Sequence, residues 1–287
     1  MVEHHLFPAA SIPARFNIVL VHGMVEHSGR YNEFAQFLTH QGGNVITFDL
    51  RGHGHYKAAD PNPLGSFGEL NTNIAQQILT DIEQLFASFK NHLPNILFGH
   101  SMGSTIALRY AQTHTGLRQL ILTSVPFNTP IQLSLAYQIA RLEHTFKGEK
   151  TSIFDQIFKQ YNRAFKPTQT EFDWLSINAA NVHNYINDPL CGYPVSTRYY
   201  RDMFEFMRLC FRHDEIAQIE KTTSILVAWG ASDPCTQFGK GTRAFIKRLQ
   251  RAGLATAQTE YPNMRHEILN EDGRIQVYRD IARLIQA

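Results

Sequence analysis

Cysteine is scarce in this chain: Cys191, Cys210 and Cys235 are odd in number and stand in no C-x-x-C spacing. That argues against a disulfide framework and a thiolate metal site, and a reducing, cytoplasmic setting fits best. Long apolar runs are missing as well. The N-terminus has no charged region followed by a sufficient apolar stretch, so neither a signal peptide nor a membrane span is expected. Charge of one sign is also lacking. Against 27 Lys and Arg stand 25 Asp and Glu, a formal +2 without any basic run, which gives no basis for nucleic-acid binding. His4-His5 and His53-x-His55 lack a third ligand and Gly239-x-Gly241 is no nucleotide fingerprint, so neither metal nor cofactor is expected. What remains is an ordinary globular composition, 43% hydrophobic and 18% charged, over 287 residues, enough for one large core with an insertion.

The stretch Asn95 to Leu108 organises the chain. An apolar run, Ile96-Leu97-Phe98, enters Gly99-His100-Ser101-Met102-Gly103, a G-x-S-x-G pentapeptide that opens a helical pattern. A serine between strand and helix takes a strained positive-φ turn that crowds the residues two before and two after it, and Gly99 and Gly103 stand there. The turn lifts the Ser101 hydroxyl above the sheet as a candidate nucleophile and aims the Met102 N–H at the place where an oxyanion would form.

Strand and helix patterns alternate around this point. A weak apolar patch at Leu6-Phe7 reads as an edge strand. Asn17 to Val21, Val45 to Phe48 and Leu117 to Thr123 read as buried strands, and Arg30 to Gln41 and Asn71 to Lys90 as amphipathic helices. Pro126 to about Arg212 changes to helical segments, Ile131 to Phe146 and Ser196 to Phe211 among them. Alternation then resumes with strands at Ser224 to Trp229 and Thr256 to Tyr261 and helices at Gly239 to Arg251 and from about Asp272. The expected fold class is α/β: a doubly wound, mostly parallel sheet over residues 1–125 and 213–287, with residues 126–212 inserted as a helical cap.

A serine hydroxyl needs a base, and the base needs an orienting carboxylate, in the order Ser, Asp, His on this architecture. Asp233 in Gly230-Ala231-Ser232-Asp233-Pro234 directly follows a strand, whereas Ser124-Val125-Pro126 after the preceding strand offers no acid. Of 14 histidines, His266 alone lies in the loop between the last strand and the last helix. The Met24 N–H, in the loop after the first clear strand, is the second candidate oxyanion donor, since Gly23 lets the backbone turn in close. Glu26, His27, Arg30, Arg51 and His53 read as a polar scaffold near the same sheet end.

With these residues in place, His22-Gly-Met-Val-Glu-His-Ser-Gly-Arg-Tyr31, Phe48-Asp-Leu-Arg-Gly-His-Gly54, Gly99-His-Ser-Met-Gly103, Gly230-Ala-Ser-Asp233 and His266-Glu resemble the monoacylglycerol lipase and lysophospholipase group of α/β-hydrolases, which is serine aminopeptidase S33-like. The resemblance implies an inserted lid and hydrolysis of lipid carboxylic esters, with Ser101, Asp233 and His266 as triad and the Met24 and Met102 amides as oxyanion donors. Nearly half of the chain's aromatic residues fall between 126 and 212. That surplus is consistent with a small core of the cap's own, or with an acyl tunnel and transient contact with a membrane surface. A proline-type aminopeptidase would use the same triad but needs cap carboxylates for a substrate ammonium, among which Glu143, Asp155, Glu171, Asp173 and Asp202 are candidates. A non-catalytic binding protein on this fold would have lost a triad or elbow residue, and this chain has them all.

Overall fold

The computed structural model describes residues 2–10, 13–56, 64–65 and 74–286. Seven strands form one sheet: β1 (His4–Phe7), β2 (Phe16–Val21), β3 (Gly43–Phe48), β4 (Asn95–His100), β5 (Leu117–Thr123), β6 (Ser224–Gly230) and β7 (Thr256–Tyr261). Their order is β1-β3-β2-β4-β5-β6-β7, with β1 antiparallel on the edge and every other pair parallel. Chain direction reverses its progress across the sheet at β2 and β4, so the carboxyl ends of the central strands open a crevice there. All six residues of β2 are buried, as a strand covered on both faces must be.

Pleating sends Ile18 and Leu20 to one face, against α1 (Asn32–His40) and the final helix, and Val19 and Val21 to the other, against α2 (Ile74–Ser88) and α3 (Met102–Thr113). The expected helix start at Asn71 lies outside the described residues. Gly42, at φ 90°, ends the turn after α1, but Gly43 already belongs to β3 rather than to the helix stop. Tyr31 belongs to a 3-10 turn over Ser28–Tyr31 that precedes α1, where the His27 side chain accepts the Gly29 N–H.

Between β5 and β6 lie α4 (Pro130–Lys147), α5 (Gln156–Tyr161), α6 (Ala179–Asn187), α7 (Thr197–Cys210) and the short α8 (His213–Ile216). Thr129 and Gln132 form a capping box that starts α4. These helices do not close around a core of their own alone. Leu133, Tyr199, Tyr200 and Phe204 join the core cluster that packs on the sheet, while Trp174, Leu175, Tyr185 and Cys191 form a satellite cluster. After β6, α9 (Lys240–Arg251) and α10 (Arg274–Gln286) complete the layers. No helix among the described residues is long and apolar enough to cross a membrane.

Candidate active site

Ser101 sits between β4 and α3 with φ 52° and ψ −119°, outside the regions a non-glycine residue ordinarily occupies. Its backbone is held by N–H donation to Thr123 O (2.9 Å) and by acceptance from Ser104 N (2.9 Å). The two flanking glycines have no room for a side chain. A Cβ on Gly99 would lie 2.3 Å from Gly103 O, and one on Gly103 2.3 Å from Val21 O.

Asp233 follows β6 and is fully buried; its Oδ2 lies 2.9 Å from His266 Nδ1 and its Oδ1 accepts the Cys235 N–H at 2.8 Å. His266 lies in the loop after β7, where its carbonyl accepts the Ser124 hydroxyl at 2.7 Å. Burial by itself would lower the His266 pKa, but the charge and hydrogen bond of Asp233 outweigh it and hold it above the ordinary value. The ring packs against Trp174 of the inserted segment, centroids 5.0 Å apart, and against His100 at 4.9 Å.

Ser101, His266, Met24 and Met102 line one cavity of about 510 Å³. Much of the remaining wall comes from residues 126–212 and is apolar, Leu133, Phe154, Ile157, Phe172, Trp174, Tyr200, Met203, Phe204 and Met207, while Glu26, Asn128, Gln156 and Glu267 are among its polar residues. Of the five acids weighed as ammonium binders, Asp155 and Glu171 line this cavity. Asp155 accepts the Tyr200 hydroxyl at 2.9 Å. Glu143 is engaged by Lys147, Ser152 and the Ile153 N–H, Asp173 by the Gln169 and Thr170 amides, and Asp202 by Arg201.

The polar residues of the loops at this sheet end form a bonded scaffold. His27 pairs with Asp188 at 2.8 Å, Arg51 is bidentate to Asp81, and Tyr199 of α7 lies within hydrogen-bond distance of both His53 Nε2 (3.1 Å) and Met102 Sδ (2.8 Å). Trp174 against the His266 ring and the pairing of Glu267 with Arg30 and Asn181 are not foreseeable from spacing, because their partners are separated by scores to hundreds of residues.

Burial makes this site sensitive to acid. His22, His53 and His100 are enclosed, and desolvation lowers all three, His53 to about 3 and His100 to about 4. Between those values and the unfolded value near 6.5, the unfolded chain binds protons that the folded chain refuses, so stability rises with pH. His266, raised above 6.5, acts in a separate window: its stabilisation is complete below 6.5 and is lost as pH rises through its folded value. As pH falls below about 6.5, His53 and His100 should therefore each cost stability increasingly, and His22 should add to the loss. Denaturant titrations at pH 7, 6 and 5 check this; stability that stays level or increases toward pH 5 contradicts it.

A family model described as serine aminopeptidase, S33, matches residues 12–273. Among curated proteins, a putative monoglyceride lipase of Schizosaccharomyces pombe is 35% identical over 104 residues, 36% of this chain and 26% of that protein. The match thus spans about a quarter of that relative's length. Phospholipase YtpA of Bacillus subtilis is 25% identical over 272 residues, 91% of this chain and 92% of its own. Among solved structures, a thermostable carboxyl esterase from Bacillus coagulans in complex with glycerol superposes with a TM-score of 0.88 at 27% identity, over 99% of this chain and 93% of that one.

Proposed function

We propose, for a chain that belongs to the serine aminopeptidase S33 family of α/β-hydrolases, that it hydrolyses carboxylic esters of lipids, monoacylglycerols or lysophospholipids, through an acyl-enzyme on Ser101. The observation that carries the reading is the largely apolar cavity that Ser101 and His266 line. In the proposed sequence His266 takes the Ser101 proton as the hydroxyl attacks the ester carbonyl, and Asp233 holds the ring and stabilises the imidazolium. The Met24 and Met102 N–H groups receive the oxyanion. His266 then returns the proton to the departing alcohol, and water attacks the acyl-enzyme by the same route. The names of the relatives support lipid esters as the class: a monoglyceride lipase, a phospholipase and a carboxyl esterase. A prolyl aminopeptidase is less well supported, since three of its five candidate acids do not line the cavity and Asp155, which does, accepts the Tyr200 hydroxyl.

Residues 126–212 serve in this reading as a cap whose inner face receives the acyl chain and excludes water from Ser101. The outer face of α4 carries Ile131 (83% exposed), Leu135, Ile139, Leu142 and Phe146 (84% exposed) along one stripe, flanked by exposed Arg141, Lys147 and Lys150. An apolar stripe with basic neighbours suits a transient contact with an anionic lipid surface, from which substrate enters.

The test is kcat/KM across monoacylglycerols and lysophospholipids of increasing chain length, with a prolyl arylamide alongside. Each buried methylene contributes at most about 0.8 kcal/mol, so kcat/KM should rise severalfold per two carbons until the cavity is filled, with acetate esters poor. Ile131→Ser combined with Phe146→Ser should slow turnover of vesicle-borne monoacylglycerol and spare a soluble short ester. No rise with length, together with turnover of the prolyl amide, overturns the reading in favour of an aminopeptidase.

A further inference from the structure

The loop after β2 carries more hydrogen bonds than a connection needs, and they converge on one residue. Gly23 is gripped at both ends: its N–H donates to Glu26 Oε1 at 2.5 Å, and its carbonyl lies 2.7 Å from His22 Nδ1. His22 Nε2 accepts the Leu50 N–H at 2.9 Å, which leaves the ring proton on Nδ1, donated to the Gly23 carbonyl. In a trans peptide the carbonyl and the following N–H point in opposite directions. With the Gly23 carbonyl anchored on His22, the Met24 N–H is turned to the other side of the strand end. Ser101 lies close by: a Cβ built on Gly23 would sit 3.4 Å from Ser101 Cβ and only 2.6 Å from Glu26 Oε1.

Glu26 is buried and reaches further. Its Oε1 also accepts the Tyr31 hydroxyl at 2.8 Å, and its Oε2 accepts Arg30 at 2.8 Å. Arg30 continues as a fork onto both oxygens of Glu267, at 2.5 and 2.6 Å, and Glu267 is the residue after His266. Asn181 of α6 closes the set, donating to Glu267 at 2.6 Å and accepting from Arg30 at 3.0 Å. Taking two carboxylates and a guanidinium out of water is costly, and a core of apolar residues would be no less stable. Stability alone therefore does not account for them.

We propose that Glu26 is a positioning residue: by holding the Gly23 N–H, with His22 on the Gly23 carbonyl, it fixes the residue whose link to Met24 faces the oxyanion and, through Arg30 and Glu267, ties it to the loop that carries His266. The inference rests on the reading of Ser101, His266 and the Met24 amide given above. Glu26 borders the cavity, but both of its oxygens are taken by the Gly23 N–H, the Tyr31 hydroxyl and Arg30, so it acts through the loop it holds. Its burial would raise its pKa, but the Arg30 charge brings it down to about 2, so the grip stays ionised throughout the working range. A link of this kind sets the separation of two loops that come from opposite sides of β4, and misplacement of a donor by about an ångström removes most of its benefit.

Wild type, Glu26→Ala, Glu26→Gln and Ser101→Ala are compared on a short nitrophenyl ester, with an alkyl boronic acid as tetrahedral analogue and circular dichroism to verify folding. Glu26→Ala should lower kcat by about a hundredfold to a thousandfold, the cost of one oxyanion donor, with KM changed less than about threefold. Boronic acid affinity should fall with kcat. Glu26→Gln keeps a carbonyl for the Gly23 N–H and should recover part of the loss. His266 is faced by Asp233, Glu267, Glu26 and His100, and the Glu26 charge raises it. The acid limb of kcat/KM for Glu26→Gln should consequently move to lower pH, which a purely structural role would not produce. A folded Glu26→Ala with kcat near wild type, or with boronic acid affinity unchanged, overturns the inference. Should Glu26→Ala fail to fold, an unshifted acid limb with unchanged boronic acid affinity in Glu26→Gln overturns it equally. Activity in Ser101→Ala overturns the underlying reading as well; an inactive Ser101→Ala beside an unaffected Glu26→Ala overturns the inference alone.

Discussion

Ser101→Ala should abolish ester hydrolysis, with a loss in kcat that approaches about a millionfold, while the chain stays folded. The substitution removes one oxygen. The strained turn is set by the crowding of Gly99 and Gly103 against the neighbouring backbone and by the Ser101 N–H bond to Thr123, none of which needs the hydroxyl. His266→Ala should cost nearly as much, because in a relay the nucleophile without its base and the base without its nucleophile are equally idle. Purified Ser101→Ala that retained more than a few per cent of wild-type turnover on a short nitrophenyl ester would show that the nucleophile lies elsewhere.

Asp233→Asn should lower kcat on the order of ten-thousandfold with little change in KM, and the geometry explains why so small a change matters. Asp233 Oδ1 is taken by the Cys235 N–H, a donor that only an oxygen can accept. An asparagine must therefore place its carbonyl there and present its NH2 to His266 Nδ1. The ring can then answer only with a lone pair at Nδ1, which moves its proton to Nε2, the nitrogen that should receive the Ser101 proton. Asp188, which pairs with His27, and Asp202, which pairs with Arg201, should matter far less. Steady-state kinetics of the three variants decide the matter: a mild effect at Asp233 beside a severe one at Asp188 or Asp202 would move the acid into the inserted segment.

The parts of this molecule that could be read in the chain are those in which one physical requirement dominates a short stretch. Strands β2, β4, β5 and β6 are nearly continuous apolar runs because both faces of the sheet are covered. The turn at Ser101 is legible because only glycine fits at 99 and 103. Element ends were less so: α10 begins at Arg274 rather than about Asp272, and Gly43 enters β3 although a Gly-Gly pair reads as a helix stop. Within 126–212 the apolar residues face three ways, toward the sheet, toward a satellite cluster and toward the cavity, so one periodicity cannot separate them. The division of Tyr199 and Tyr200 from Trp174 and Tyr185 between two clusters has no local signal. Glu26 and Arg30 read as scaffold from their loop, but the bond from Arg30 to Glu267 joins residues 237 apart and depends wholly on the fold.

The most direct measurement of the central claim is covalent labelling with a fluorophosphonate, followed by tandem mass spectrometry of the digested protein. The reagent needs an activated nucleophile and an oxyanion site together, so it reports the assembled chemistry and not the presence of a serine. A single stoichiometric adduct on Ser101 is expected, lost in Ser101→Ala and formed far more slowly in His266→Ala. An adduct on any other residue, or none on the native protein, would contradict it.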